Sequence, residues 1–122
     1  MALEVEIASN AGVAILRCRG RMVWGPEAAE FGRNFRSLLD SSKQIVLNLA
    51  NVPQIDSGGV GALGTAFMAA HNRGAELKLA SLSPRVADVL RITALDGLFR
   101  IYASEAEAVE AFQNAPATAG AA

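Results

Sequence analysis

The sequence predicts an α/β domain, and three features carry that reading. Residues 3–8 and 13–18 are β-rich runs separated by Ser9-Asn10-Ala11-Gly12, turn chemistry that folds the two into a hairpin. Residues 45–49, a glycine-rich helical stretch opening at Asp56-Ser57, and residues 75–80 then follow as strand, helix, strand within about 35 residues, the length of a right-handed parallel crossover. Between these parts, Ala28, Phe31, Phe35, Leu38 and Leu39 recur at the spacing of one helix face.

Composition bounds the rest. At 122 residues, 52% hydrophobic and 19% charged, the chain has the size of one domain and enough apolar material for a core. The net charge is −1 and the Lys and Arg residues are scattered, so no basic footprint points to nucleic acid. Cys18 is the single cysteine, which excludes an internal disulfide and fits an intracellular setting. Met1-Ala2-Leu3-Glu4-Val5-Glu6 lacks the basic head and apolar run of a signal peptide. No window approaches the roughly 20 apolar residues of a membrane helix. The expectation is a soluble cytoplasmic protein with no direct nucleic-acid contact and no membrane insertion, built as one domain over residues 1–113 with a flexible tail over 114–122.

In chain order, Leu3, Val5 and Ile7 alternate with Glu4 and Glu6, as in a half-buried strand. The second strand ends at Gly20, and Cys18 within it packs as a small apolar side chain. Gly25-Pro26-Glu27 opens the first helix: proline suits the first turn, and the carboxylate suits its positive end. After the strand over 45–49, Val52-Pro53-Gln54-Ile55 turns the chain into the second helix. There Val60, Leu63, Phe67 and Ala70 share the face expected to meet the sheet, and Gly61, Thr65 and Met68 share another. Gly74 ends that helix. Ser83-Pro84 caps a third, with Val86, Val89 and Leu90 inward. Asp96-Gly97 turns into a last strand over residues 98–102, and Ser104 with Glu107 forms a capping box for a final helix through Phe112.

Candidate chemistry narrows quickly. Gly59-Val60-Gly61-Ala62-Leu63-Gly64 has the glycine spacing of a dinucleotide fingerprint, yet the next strand ends Leu79-Ala80-Ser81-Leu82 without the carboxylate that holds a ribose hydroxyl. Small residues that let the helix sit close to its neighbours explain the glycines better. Thr65 stands where a phosphate loop needs lysine. His71, the single histidine, would lie about 21 Å along the same helix from Ser57, too far for a nucleophile–base pair. No catalytic residues, no metal site and no cofactor are expected. Asp56 and Ser57 remain. Both are good N-cap residues, and a cap is what this turn needs. Ser57 is also suited to carry phosphate, because a helix start tolerates about −1.5 to −2 added charges while the surface presented to a partner changes.

Residues 45–49, then Ile55-Asp56-Ser57-Gly58-Gly59-Val60-Gly61, then Gly74 and Leu77 to Ser83-Pro84 resemble a STAS domain, most closely the stand-alone bacterial anti-sigma factor antagonists. The resemblance spans about Leu3 to Phe112. It implies a mixed four- to five-stranded sheet with helices stacked mainly on one face, and a non-enzymatic role in transcription regulation by partner switching. The unphosphorylated antagonist binds an anti-sigma factor that is also a serine kinase; phosphorylation of Ser57 ends that binding, and a serine phosphatase restores it. On this reading Asp56, Gly58, Gly59, Gly61, Thr65, Met68 and Trp24 contact the partner, and the protein is a monomer or weak dimer. Two departures stand out. Gly20-Arg21-Met22-Val23-Trp24 occupies the place of an acidic residue near the phosphoserine, and Gly58 replaces the usual hydroxyl residue or alanine, which is expected to loosen the helix start by up to about 1 kcal/mol. Trp24 is either half-buried on the first helix or an apolar contact for a partner. The alternative is a STAS subunit or scaffold that binds a transporter ATPase or larger signalling assembly without a phosphate switch.

Overall fold

The computed structural model describes residues 3–114. The order of elements is β1 (Glu4–Asn10), β2 (Val13–Arg19), α1 (Pro26–Leu39), β3 (Gln44–Asn51), α2 (Ser57–Asn72), β4 (Glu76–Ala80), α3 (Pro84–Ile92), a 3-10 turn (Leu95–Gly97), β5 (Arg100–Tyr102) and α4 (Glu105–Asn114). The five strands form one sheet in the order β1-β2-β3-β4-β5. β1 and β2 are antiparallel; every later pair is parallel. The α/β class and the mixed sheet are therefore those the sequence predicts.

The hairpin turn is shorter than the sequence suggests. β1 continues through Asn10, which pairs with Val13, so Ala11 and Gly12 alone close the loop, at φ 54 and 82. Two positive φ angles give a turn whose twist matches that of the flanking strands. β1 is an edge strand, and its apolar face is covered at one end only: Leu3 is buried, whereas Ile7 is 55% exposed.

Residues from alternate positions of β2, β3 and β4 enter two cores. Leu16, Cys18, Leu47, Leu49 and Leu79 face α1, α2 and α3. Val13, Ile15, Val46 and Ala80 face Ala108, Val109 and Phe112 of α4. Burial on both sides explains why β2 and β3 read as continuous apolar runs rather than alternating ones. Burial pushes the Cys18 thiol up to about 12, as befits a packing residue rather than a reactive one. Three helices on one face and α4 on the other match the expected stacking.

Several local details differ from the sequence reading. α2 buries Gly59, Leu63, Ala66 and Ala70. Val60 and Phe67 sit at the margin of that core, and the Phe67 ring packs edge-on to Phe99 at 5.5 Å. The tightest part of the contact admits Ala66 in place of a ring. The last strand begins only at Arg100, because Leu95–Gly97 coil into a 3-10 turn after Ala94 at φ 61. α4 runs on to Asn114, which takes the first residue of the tail expected over 114–122 into the helix; the rest of that tail lies outside the described residues. Ser83 caps α3 as expected, accepting from Val86 N at 3.3 Å while donating to Val52 O at 2.7 Å. In α4 the Glu107 amide donates to Ser104 Oγ at 3.1 Å, and the Glu107 carboxylate returns to the Ala103 amide at 3.1 Å.

α4 is held to its face of the sheet by polar groups as well as by its apolar stripe. Arg17 grips Glu105 through two parallel bonds of 2.7 and 2.9 Å, and Asn48 adds a third of 2.6 Å. Lys78, buried on the same face, donates to Glu76 at 2.7 Å and lies 4.5 Å from the centre of the Phe112 ring. Charge-assisted, bidentate bonds are the stronger kind. Glu105→Ala is expected to cost about 2 kcal/mol, measured as a lower urea midpoint with an unchanged slope.

Candidate functional site

The site forms where two loops leave the same end of the sheet. After β2, residues 20–24 continue beside the segment that leads from β3 into α2. Gly20 N donates to Asn51 O at 3.0 Å, Met22 N donates to Gln54 O at 2.9 Å, and Met22 pairs with Ile55 as an isolated parallel bridge. Met22 is fully buried. This extension sets the backbone of Trp24 against the start of α2.

Asp56 is the N-cap of α2. Its Oδ1 accepts from the Gly59 amide at 3.0 Å, and the Trp24 amide donates to both carboxylate oxygens, at 2.9 and 3.1 Å. Donors from the Gly59 and Trp24 backbone hold this carboxyl below its ordinary value. Of the two capping candidates, Asp56 does the work. Ser57 becomes the first residue of the helix, exposed to solvent, its hydroxyl relieved of capping.

The glycines divide into two kinds. A Cβ on Gly59 would lie 2.0 Å from the Met22 carbonyl oxygen, and one on Gly58 would lie 2.5 Å from Trp24 Cβ and 2.6 Å from its Cα. Both are required by the close approach of the chain's own segment over residues 22–24. The expectation that alanine at position 58 would tighten the helix start is corrected here: there is no space for its methyl group. Gly61 is different, since a Cβ there would meet nothing.

The other residues singled out from the sequence lie as follows. Gly61, Thr65 and Met68 are all exposed on α2. Trp24 is 79% exposed, which decides against burial on the first helix. Between α1 and α2 runs a groove of about 470 Å³, with Trp24, Gly58 and Thr65 among its lining. Gly59 lies beneath this surface, whereas Asp56 is exposed with its carboxylate engaged by the Trp24 and Gly59 amides. His71 falls in the last turn of α2, a whole helix away from Ser57. Among the described residues no group of three His, Cys, Asp or Glu could hold a metal ion, and no helix is long and apolar enough to cross a membrane. Sequence reasoning missed Met22, whose carbonyl requires Gly59, and the Trp24 amide. Both act across more than thirty residues of chain, where no local pattern could signal them.

Comparison with protein families matches residues 4–108 to the STAS domain. The chain belongs to the STAS domain family. Among solved structures, a candidate anti-sigma factor antagonist of Thermotoga maritima shares the fold with a TM-score of 0.79 and 27% identity, over 87% of this chain and 92% of that one. The anti-sigma factor antagonist SpoIIAA in its unphosphorylated form aligns at a TM-score of 0.68 and 15% identity, over 93% of this chain and 99% of that one. The STAS domain of a SulP transporter from Vibrio cholerae aligns at 0.66 and 18% identity, over 87% and 84%. The last two are likenesses of fold. In this STAS domain the exposed serine stands at the head of α2, directly after the aspartate that caps the helix.

Proposed function

We propose that this STAS protein is an anti-sigma factor antagonist of a bacterial cytoplasm, controlled by phosphorylation of Ser57. In its unmodified form it binds an anti-sigma factor that is also a serine kinase, and the sigma factor is released. The kinase transfers a phosphoryl group to the Ser57 hydroxyl and the complex ends; a serine phosphatase resets it. The protein is ligand and substrate, carries no catalysis of its own, and acts as a monomer or weak dimer.

The observation that carries this reading is the division of labour between Asp56 and Ser57. Asp56 caps α2, so modification of the exposed Ser57 hydroxyl removes no bond that the helix start depends on. The added charge meets the positive end of the helix, which favours it, and the Asp56 carboxylate, which does not, so the fold survives while the surface changes. Trp24, Gly58, Gly61, Thr65 and Met68 supply the contact surface, with the Asp56 carboxylate and the buried Gly59 fixing its backbone. SpoIIAA, a protein of the same fold, has also been solved in a phosphorylated form.

Phosphate-affinity electrophoresis of the protein recovered from its native cells is expected to show a retarded band that Ser57→Ala removes. Ser57→Asp is expected to lose the partners that wild type pulls down, with the unfolding free energy from urea denaturation changed by less than about 1 kcal/mol. Retention of the same partners by Ser57→Asp would instead favour a scaffold or transporter-ATPase subunit without a phosphate switch. The arginine-containing segment in place of an acidic residue near Val23 speaks for that second reading.

A further inference from the structure

We infer that the groove between α1 and α2 receives an amphipathic helix of the partner, one that lays an apolar stripe along the groove and carries acidic residues on its flank. This rests on the partner-switching reading and names the chemistry of its docking step.

Trp24 stands at the head of the groove with 79% of its surface exposed. An indole left in water costs solubility, and the chain commits several groups to keeping it there. The Asp56 carboxylate holds its amide, the glycine at position 58 makes room for its Cα and Cβ, and the Met22–Ile55 bridge fixes the backbone before it. An exposed aromatic on a pre-formed backbone is the pattern of a binding hot spot, because little ordering remains to be done on association. Beyond Trp24 the lining is rich in small side chains, Ala28, Ala29 and Ala62 among them, which leave room for the side chains of a helix lying lengthwise. The indole lines the groove and is still 79% exposed, so only what docks there can bury it.

Charge selects the kind of helix. Arg33 and Arg36 line the groove, and none of its described lining residues is acidic. Arg33 shares Glu30 at 2.7 Å, whereas Arg36 forms no ion pair among the described residues. Its guanidinium lies over Gly32, 3.1 Å from where a Cβ would stand. A flank of Glu or Asp on the incoming helix complements this wall, and a flank of Lys or Arg is repelled. The same sign of charge makes the switch work in one direction. A phosphate on Ser57, next to Gly58 at the groove's mouth, would face the acidic flank and expel it.

Two synthetic peptides of about 18 residues, long enough to hold a helix, test this directly. They share one leucine stripe at helical spacing; one carries glutamate at the remaining positions and the other lysine. The full chain is labelled with ¹⁵N, and Trp24, the single tryptophan, reports through its emission. The glutamate peptide is expected to bind at least about tenfold more tightly than the lysine peptide at low salt, with the difference shrinking as salt is added. Amide shifts should centre on Ala28, Gly32, Gly58 and Thr65, with a blue-shifted indole emission. Arg36→Glu should reverse the preference, and the milder Arg36→Gln should flatten it, each with a circular-dichroism spectrum like that of wild type. Ser57→Asp should weaken the glutamate peptide severalfold and spare the lysine peptide. Equal affinity for the two peptides, or shifts on another face, overturns the proposal. So does self-association that Trp24→Ala abolishes, which would assign the groove to a second copy. The acidic preference is measured on unmodified protein, so it fails or stands separately from whether Ser57 is phosphorylated in cells.

Discussion

Gly59→Ala is expected to destabilise the protein by about 3 kcal/mol, whereas Gly61→Ala, two residues along the same helix, should stabilise it by up to about 1 kcal/mol. The opposite signs follow from what the added methyl group would meet. At Gly59 it would lie 2.0 Å from the Met22 carbonyl oxygen and 2.8 Å from Ile55 Cγ1, so the segment over residues 22–24 has to lift away from α2. At Gly61 it would meet only solvent, and alanine gains the helix propensity that glycine lacks. Urea denaturation of both variants measures the pair. Equal midpoints would mean that the two segments are not in contact in solution. Gly58→Ala belongs with Gly59→Ala, since its methyl group would overlap Trp24 Cβ at 2.5 Å. Pull-down with Gly61→Ala then separates helix stability from partner contact: a more stable helix that binds its partner less well would place Gly61 in the interface.

Acid is expected to loosen the Trp24 loop through protonation of Asp56. The Gly59 and Trp24 amides hold the Asp56 carboxyl below its ordinary value, because both donate more strongly to the ionised carboxylate than to the neutral acid. A depressed folded-state value means that the stabilisation is fully present above the unfolded-state value, about 3.9, and is lost as pH falls through the folded one. The window therefore lies below pH about 4. Trp24 emission should change there, and Asp56→Asn, which has no proton to take up, should abolish that transition. Arg17 lowers Glu105 and Arg33 lowers Glu30 in the same direction, so general acid unfolding overlaps this range. Neither group bonds to Trp24, and both carboxyls are intact in the asparagine variant, so only the emission change that depends on Asp56 should disappear. An unchanged emission profile in Asp56→Asn would show that the cap does not control the indole. Asp56→Ala should go further at neutral pH, removing the cap and leaving the Trp24 amide without its acceptor.

Much of this was legible along the chain. The hairpin, the glycine-proline start of α1, the serine cap of α3 and the capping box of α4 are patterns within a turn or two, and each appears where its chemistry predicts. Gly61, Thr65 and Met68 could be placed on an open flank of α2 by helical spacing alone. The same spacing misplaced Phe67 in the centre of the buried face. Which apolar residue lies deepest depends on how close two elements come, and here Ala66 lets α2 approach. Ile7 fits the alternation of a half-buried strand and yet is exposed, because β1 is an edge strand that the helical layer only partly covers.

The sequence by itself determined the order and type of the elements, the family they compose, and the pair of residues, Asp56 and Ser57, at which chemistry could occur. The elements and the two residues follow from side-chain period and capping preference, which operate over a few residues, and the family follows from the resemblance of its motifs. Only the tertiary structure decided that Asp56 caps while Ser57 stays open, that Gly58 and Gly59 make room for residues 22–24, and that Trp24 stands in water at the head of a groove. Each of these depends on two loops more than thirty residues apart meeting at one end of the sheet. Contacts of that range come from packing, which a local pattern does not encode.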